Sequence, residues 1–71
     1  MNMDVTTEYY LRQISKHSAN HWKFRYFVKK VDELISGYRI TAMKMRGTTV
    51  GSWCSHEANQ LQNKLDKARG L

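Results

Sequence analysis

The sequence predicts a small α+β domain with two N-terminal helices, a β-hairpin and a C-terminal helix. Three observations lead to this fold class. Apolar residues recur at helical spacing in residues 21–35 and again in residues 58–68, whereas apolar and polar residues alternate from residue 38 onward. Because the chain has 71 residues, it can form one domain, which we assign to residues 1–71.

The first element is a short helix in "TTEYYLRQISKH" that begins at Thr6 or Thr7. On a helix Tyr10, Leu11 and Ile14 lie on one side, so these three side chains are expected to face the core. The following "SKHSAN" is rich in residues that favour turns and indicates a loop.

Residues 21–35 fit either a strand or a helix. As a strand, alternate residues from Trp22 to Val28 would form the apolar face. As a helix, the apolar residues fall in an arc of about 120° without a charge, and burying four or five of them contributes roughly 1.5–3 kcal/mol each. Bases at the start and acids at the end of this helix oppose the helix dipole, but each such charge lowers the stability of the helix by only a few tenths of a kcal/mol. The helix is therefore favoured, with Ser18 or Asn20 as its cap and Gly37 as its stop.

A β-hairpin is expected after this helix. Tyr38, Ile40 and Ala42 alternate with polar residues, and a change of phase at Met43 indicates a bulge. The stretch "RGTT" then predicts a turn, and "VGSWC" predicts the second strand.

The C-terminal helix is expected to begin after Ser55 as its N-cap and to end before Gly70. Its apolar positions are spaced by three or four residues and are Ala58, Leu61, Leu65 and Ala68. The predicted core takes the apolar face of each element and consists of Phe24, Phe27, Val31, Leu34, Ile40, Trp53, Leu61 and Leu65. We expect flexible ends near residues 1–5 and 70–71.

The charge of the chain is strongly positive and unevenly distributed. The formal net charge is +6, and six bases but no acid lie between Tyr9 and Val31. Three further bases and no acid lie between Leu34 and His56. This imbalance favours an anionic partner, either a nucleic acid or an acidic protein surface. The alternative is that the surplus bases only keep a small protein soluble.

No motif for catalysis, a cofactor or a metal is present in the sequence. Histidines 17, 21 and 56 with Cys54 lack the spacing of a zinc site, and we expect Cys54 to be a small core residue. We therefore expect no enzyme, no cofactor and no metal ligand. No apolar run approaches the roughly 18 residues of a membrane span, the N-terminus lacks the pattern of a secretory signal, and a single cysteine suits a reducing cytoplasm.

The stretch "HWKFRYFVKK" predicts the binding surface. On the helix, Trp22 and Tyr26 lie one turn apart, opposite the core and beside the bases. Aromatic residues and arginine are the commonest anchors of interfaces, so this face is the candidate contact. The predicted partner-binding residues are Trp22, Lys23, Arg25, Tyr26, Lys29 and Lys30.

The run "YRITAMKMRGTTVGSWCSHEANQLQNKLDKA" resembles in layout the second half of a double-stranded-RNA-binding domain, with strand, turn, strand and helix in residues 38–69. That family grips phosphates with a lysine cluster at the start of its last helix. The matching residues 55–60 read Ser, His, Glu, Ala, Asn and Gln and contain no lysine. The resemblance therefore implies the order of strands and helix, and it does not imply that the last helix binds phosphates.

In size, charge and absence of other chemistry, the whole chain also resembles the small phage-encoded regulators that bind host RNA polymerase. This resemblance implies a regulator that docks on a large nucleic-acid enzyme, such as bacterial RNA polymerase, and modulates transcription. We expect the protein to be a monomer. The alternative is a module that binds DNA or RNA backbone directly. A structural or assembly protein is a third hypothesis, which no specific feature favours.

Overall fold

The computed structural model describes residues 5–17 and 20–70, which form three α-helices and no β-strand. Helix α1 spans Val5–Lys16, α2 spans Trp22–Lys44 and α3 spans Thr49–Ala68. The fold is all-α, so the predicted α+β class with its β-hairpin is wrong. Of the ends expected to be flexible, residues 1–4 and 71 lie outside the described part.

Helix α1 confirms the predicted first element. It begins one residue before Thr6 and places Ile14 in the core, where only 1% of this residue is exposed. Tyr10 and Leu11 pack against that core while remaining partly exposed, and Thr7 is buried as well. The helix therefore offers one face to the rest of the molecule, as its apolar spacing indicated.

Helix α2 includes residues 22–35 of the predicted segment 21–35 and continues to Lys44. Its N-cap is His21 and not Asn20, because the His21 side chain accepts a hydrogen bond from the backbone N–H of Lys23 at 3.1 Å. Ser18, the other predicted cap, lies outside the described residues. Gly37 does not stop the helix but lies in its interior, because Tyr38 and later residues continue the apolar face.

Helix α3 begins at Thr49, so the predicted strand "VGSWC" and the predicted cap Ser55 both lie inside a helix. The N-cap is Thr48, whose Oγ1 accepts a hydrogen bond from the N–H of Gly51 at 3.0 Å and donates to the Met45 carbonyl at 2.6 Å. The turn predicted at "RGTT" is confirmed and includes Gly47 with a φ of 83°. Gly70, with a φ of 80°, ends the chain's last helix as expected.

Both connections between the helices are short, which makes sequential helices antiparallel neighbours. Ring contacts agree with this arrangement: Phe27 meets Tyr9 and Tyr10 across α1 and α2, and Tyr38 meets Trp53 across α2 and α3. The described residues therefore form a three-helix bundle in which α2 and α3 make the longest contact. The strand layout that carried the likeness to a double-stranded-RNA-binding domain is replaced by helix.

Four of the eight residues predicted for the core are not buried. Leu34, Ile40 and Trp53 were expected to be buried but are 37%, 53% and 37% exposed. Ile40 lies on the outer side of α2 because the helix continues through Gly37, whereas Leu34 and Trp53 lie beyond the reach of the short helix α1. Phe24 is only partly buried. The observed core consists of Ile14, Phe27, Val31, Ile35, Cys54, Ala58, Leu61 and Leu65.

Truncating the α3 core should unfold a large fraction of the protein. Leu61 and Leu65 are 3% and 0% exposed, so Leu61→Ala or Leu65→Ala should each cost roughly 2–4 kcal/mol of unfolding free energy. A core of this size rarely supplies more than about 3–5 kcal/mol. Chemical denaturation measures the loss, with Leu34→Ala as the control that should cost about 1 kcal/mol or less. Equal losses in all three variants would contradict this core.

Two glycines in helices should respond to alanine in opposite directions. A Cβ at Gly37 would meet no atom within 4 Å, so Gly37→Ala should stabilise the fold by about 1 kcal/mol through helix propensity. A Cβ at Gly51 would lie 2.9 Å from the carbonyl carbon of Met45 and closer still to its oxygen. Overpacking of this kind costs typically about 1–3 kcal/mol, so Gly51→Ala should destabilise. The melting temperatures of the two variants measure these changes in stability. A Gly51→Ala variant more stable than the wild type would show that α3 does not contact the end of α2 at Gly51.

Candidate functional site

An aromatic cleft of about 400 Å³ opens between α1 and the first turns of α2. We call it the aromatic cleft, and its lining residues are Tyr9, Gln13, Trp22, Lys23, Tyr26 and Phe27. Three of these residues carry largely exposed rings: Tyr9 is 48% exposed, Trp22 66% and Tyr26 47%. An apolar surface of this kind, with a few polar groups beside it, is typical of binding sites.

The buried ring of Phe27 holds the cleft together. Tyr9 and Tyr26 meet it edge-on, with ring centroids 5.8 Å and 5.2 Å away, and Tyr10 packs behind it at 5.6 Å. Such aromatic pairs contribute about 0.5–1.5 kcal/mol beyond their buried area. Two exposed tyrosines are thus positioned by one core residue, so a ligand would meet rings already in place.

Two lysines place positive charge against the exposed rings. Lys23 Nζ lies 5.7 Å from the ring centroid of Trp22, and Lys30 Nζ lies 5.4 Å from that of Tyr26. Contacts of this type contribute about 0.5–1 kcal/mol at exposed sites. Because the lysines already contribute cations, the cleft should repel a cationic ligand and favour a neutral or anionic group.

A short row of stacked rings leads away from the cleft. The rings of His17 and His21 stack with centroids 4.9 Å apart, and His21 lies 6.0 Å from Trp22 in a similar orientation. His17 Nε2 lies 3.2 Å from Oε1 of Gln13, where the ring N–H can donate to the amide oxygen. The histidines therefore connect the end of α1 to the start of α2 beside the cleft.

Removal from water lowers the pKa of His17 below its ordinary value of 6.5, and the positive charges of His21, Lys23 and Lys16 lower it further. The neutral ring is thus the favoured form in the folded protein. Since the unfolded chain takes up this proton first, the folded state loses stability as the pH falls through 6.5 toward the lower folded value.

The six predicted partner-binding residues do not all meet at one place. Trp22, Lys23 and Tyr26 line the aromatic cleft, and Lys30 stands beside the ring of Tyr26. Arg25 and Lys29 are exposed on α2 but do not line the cleft. Their role in binding stays a prediction.

Three residues of the cleft are absent from the predicted site: Tyr9 and Gln13 of α1, and Phe27, which was predicted only as a core residue. Tyr9 and Gln13 are the two that the sequence analysis missed altogether. Together with His17 they are spaced by four residues, so they share one edge of α1 that borders α2. This spacing is a signal that could have been found, but only if the pairing of α1 with α2 had been known.

Within residues 5–17 and 20–70, no three His, Cys, Asp or Glu side chains lie close enough to hold a metal ion. Cys54 is a free cysteine and is buried in the core, as expected. None of the described helices is both long enough and apolar enough to cross a bilayer.

Comparison of the chain with models of protein families, with curated protein sequences and with solved structures found no match. The geometry of the aromatic cleft and the charges around it are therefore the features that bear on function.

The lowered pKa of His17 can be checked by following its ring protons in an NMR titration. The midpoint should lie below 6.5, because removal from water and then the neighbouring positive charges disfavour the protonated ring. His21→Asn keeps a good N-cap but removes one charge, so it should raise the midpoint toward 6.5. A midpoint at or above 6.5 in the wild type would contradict the packing of the two histidines.

Proposed function

We propose that this protein is a small regulator without catalytic activity that docks, through the aromatic cleft, on an acidic surface of a protein partner. The observation that carries the proposal is the cleft itself, where Trp22, Tyr9 and Tyr26 are exposed around a buried Phe27 with lysines at the rim. Trp and Tyr in such positions are the residues that most often dominate binding energy.

The charges beside the cleft support an anionic partner. Lys23 and Lys30 contact the rings, while Arg25 and Lys29 extend the positive surface along α2. The first turn of α2 contains no acid, so this positive field is not neutralised locally. Such a field accelerates association with an acidic surface and fixes its orientation, whereas the rings supply most of the buried area. A large nucleic-acid enzyme such as bacterial RNA polymerase is the partner we propose to test first.

The second candidate function is direct binding of nucleic-acid backbone, and one observation favours it. Four bases lie in the first nine residues of α2, and the helix dipole adds positive potential around Lys23 and Arg25 in its first turn. Exposed aromatic rings among bases also suit the stacking of single-stranded bases. The two candidates differ in how binding should depend on salt.

Direct binding to purified bacterial RNA polymerase and to single-stranded and duplex DNA tests the proposal. Trp22→Ala should weaken polymerase binding by at least about 2 kcal/mol, roughly thirtyfold, because an exposed interface tryptophan is removed. The triple variant Arg25→Ala, Lys29→Ala, Lys30→Ala should bind more weakly and with a shallower salt dependence. The triple variant Lys64→Ala, Lys67→Ala, Arg69→Ala removes equal charge from the end of α3 and should bind like the wild type.

The outcomes separate the two candidates. For a nucleic acid, the logarithm of affinity should fall with that of salt by about 0.7–0.9 for each phosphate neutralised, equally for unrelated sequences. For a protein partner, the salt slope should be shallower and the loss in Trp22→Ala larger. If the polymerase does not bind, that partner is wrong. If both triple variants weaken binding equally, net charge and not the cleft is responsible.

A further inference from the structure

Helix α1 borders another cavity, which lies on a different side of the helix from the aromatic cleft. On α1 the cleft is lined by Tyr9 and Gln13, whereas Arg12 and Ser15, which line this cavity, lie roughly a third of a turn away around the helix. Its volume is about 440 Å³, within the range of about 300–1,000 Å³ that is typical of small-molecule sites. The cavity is therefore distinct from the aromatic cleft and large enough for a small organic ligand.

Two helix edges form the walls of this cavity. Among the described residues, α1 contributes Glu8, Leu11, Arg12 and Ser15, and α3 contributes Lys64, Lys67 and Ala68. Spacings of three and four residues place each set along one edge of its helix. We call this site the basic cavity, because three of its side chains are bases.

The floor of the basic cavity is apolar. Leu11 and Ala68 are partly buried and pack against the core of the bundle, so their positions are fixed by that packing. The part of these two side chains that lines the cavity is apolar surface. A simple ion would leave that surface in contact with water, whereas a ligand with an apolar part would cover it and gain hydrophobic stabilisation.

The bases of the cavity come from both of its walls. Arg12 lies on α1, Lys64 and Lys67 lie on α3, and all three residues are exposed. Packed helices lie about 8–10 Å apart, a distance over which long Arg and Lys side chains from the two sides can reach one group between them. Glu8 is the one acid among the described residues of the basic cavity, so three positive charges and one negative charge leave +2.

The other described charges nearby do not cancel this surplus. Lys16 and Arg69 each directly follow a residue of the basic cavity in the sequence and add positive charge. Asp66 lies on another side of α3, where it accepts a hydrogen bond from Gln62 at 3.0 Å. Glu57 precedes the first lysine of the cavity by seven residues, which is about 10 Å along α3. A ligand in the cavity therefore meets a positive field, which favours an anionic group.

A phosphate monoester has the charge that matches this surplus. It carries about −1.5 to −2 at pH 7, whereas a carboxylate carries a single negative charge and would neutralise only half of the surplus. Arg and Lys donate strong charge-assisted hydrogen bonds to phosphate oxygens, and the hydroxyl of Ser15, on the same helix edge as Arg12, can donate another. A nucleic-acid backbone carries one charge on each phosphate and would run past Glu8, which repels it.

We infer that the basic cavity binds a small phosphate monoester with an apolar body. The phosphate lies between Arg12 and the two lysines, and the apolar body covers Leu11 and Ala68. Glu8 lowers the affinity for this anion, since it places a like charge at the same cavity. The site is separate from the aromatic cleft and does not depend on the function proposed for it.

Phenyl phosphate is the probe, and its binding to the full chain is followed through backbone amide shifts in an NMR titration. We expect a Kd of about 1 mM or lower, with the largest shifts at residues of the basic cavity. Arg12→Gln and Lys67→Gln should each weaken binding at least about fivefold, because each removes a charged donor. Glu8→Gln should strengthen binding about threefold, because it removes a like charge. All three residues are exposed and Gln suits a helix, so the fold is retained.

One control variant and two control ligands make the result specific. Lys44→Gln removes an exposed base at the far end of α2 and should change the Kd less than about twofold. Phenylacetate, which carries less charge, and inorganic phosphate, which lacks an apolar part, should each bind at least about fivefold more weakly than phenyl phosphate.

The inference is overturned if phenyl phosphate at about 1 mM shifts no amide of the basic cavity, or if either control ligand binds as tightly. It is also overturned if Lys44→Gln weakens binding as much as Arg12→Gln. A single-stranded oligonucleotide that binds more tightly than phenyl phosphate, and loses affinity in Arg12→Gln but not in Lys44→Gln, would overturn it as well, since a nucleic acid would then occupy the cavity.

Discussion

The close approach of α2 and α3 at Gly51 is the constraint on which the rest of the structure depends. The backbone of Gly51 lies against the carbonyl of Met45, and the Thr48 side chain bridges the same two residues. Because no side chain keeps the helices apart there, α3 can turn back onto α2 within a short connection. Small buried residues at Cys54 and Ala58 continue the close contact up to Leu61 and Leu65.

Once α2 and α3 form this pair, the length of α1 decides which apolar residues stay exposed. One short helix can cover only one part of a longer groove, and α1 covers the part around Phe27. At that end it forms the aromatic cleft, where its own Tyr9 joins Trp22 and Tyr26. At the other end it leaves Leu34, Val50 and Trp53 exposed. The aromatic cleft and the exposed apolar residues at the other end thus follow from one mismatch of lengths.

Positive charge gives the aromatic cleft a chemical preference for anionic groups. Four of the bases lie in the first nine residues of α2, and no acid lies between Tyr9 and Val31. In the cleft, Lys23 and Lys30 stand against aromatic rings, so charge and apolar area are presented together. A partner that combines acidic and apolar groups therefore suits the aromatic cleft.

Local periodicity was sufficient for the helices whose apolar spacing runs unbroken, namely α1, the first half of α2 and the second half of α3. The alternation in residues 38–42 led to the wrong prediction of a strand, because a short apolar run fits a period of two as well as one of 3.6 residues. The helical spacing in fact continues through Tyr38 and Ala42 in α2. In α3 it extends back from Ala58 to Cys54 and Gly51.

The sequence by itself determined the charge, the amphipathic faces, the turn at "RGTT" and the exposure of Trp22 and Tyr26 once a helix was chosen. Only the tertiary structure decided that Tyr9 joins those two rings, and that Leu34 and Trp53 are not covered. The physical reason is that spacing along one helix shows which side is apolar. Whether that side is buried depends on the position and the length of the neighbouring helix.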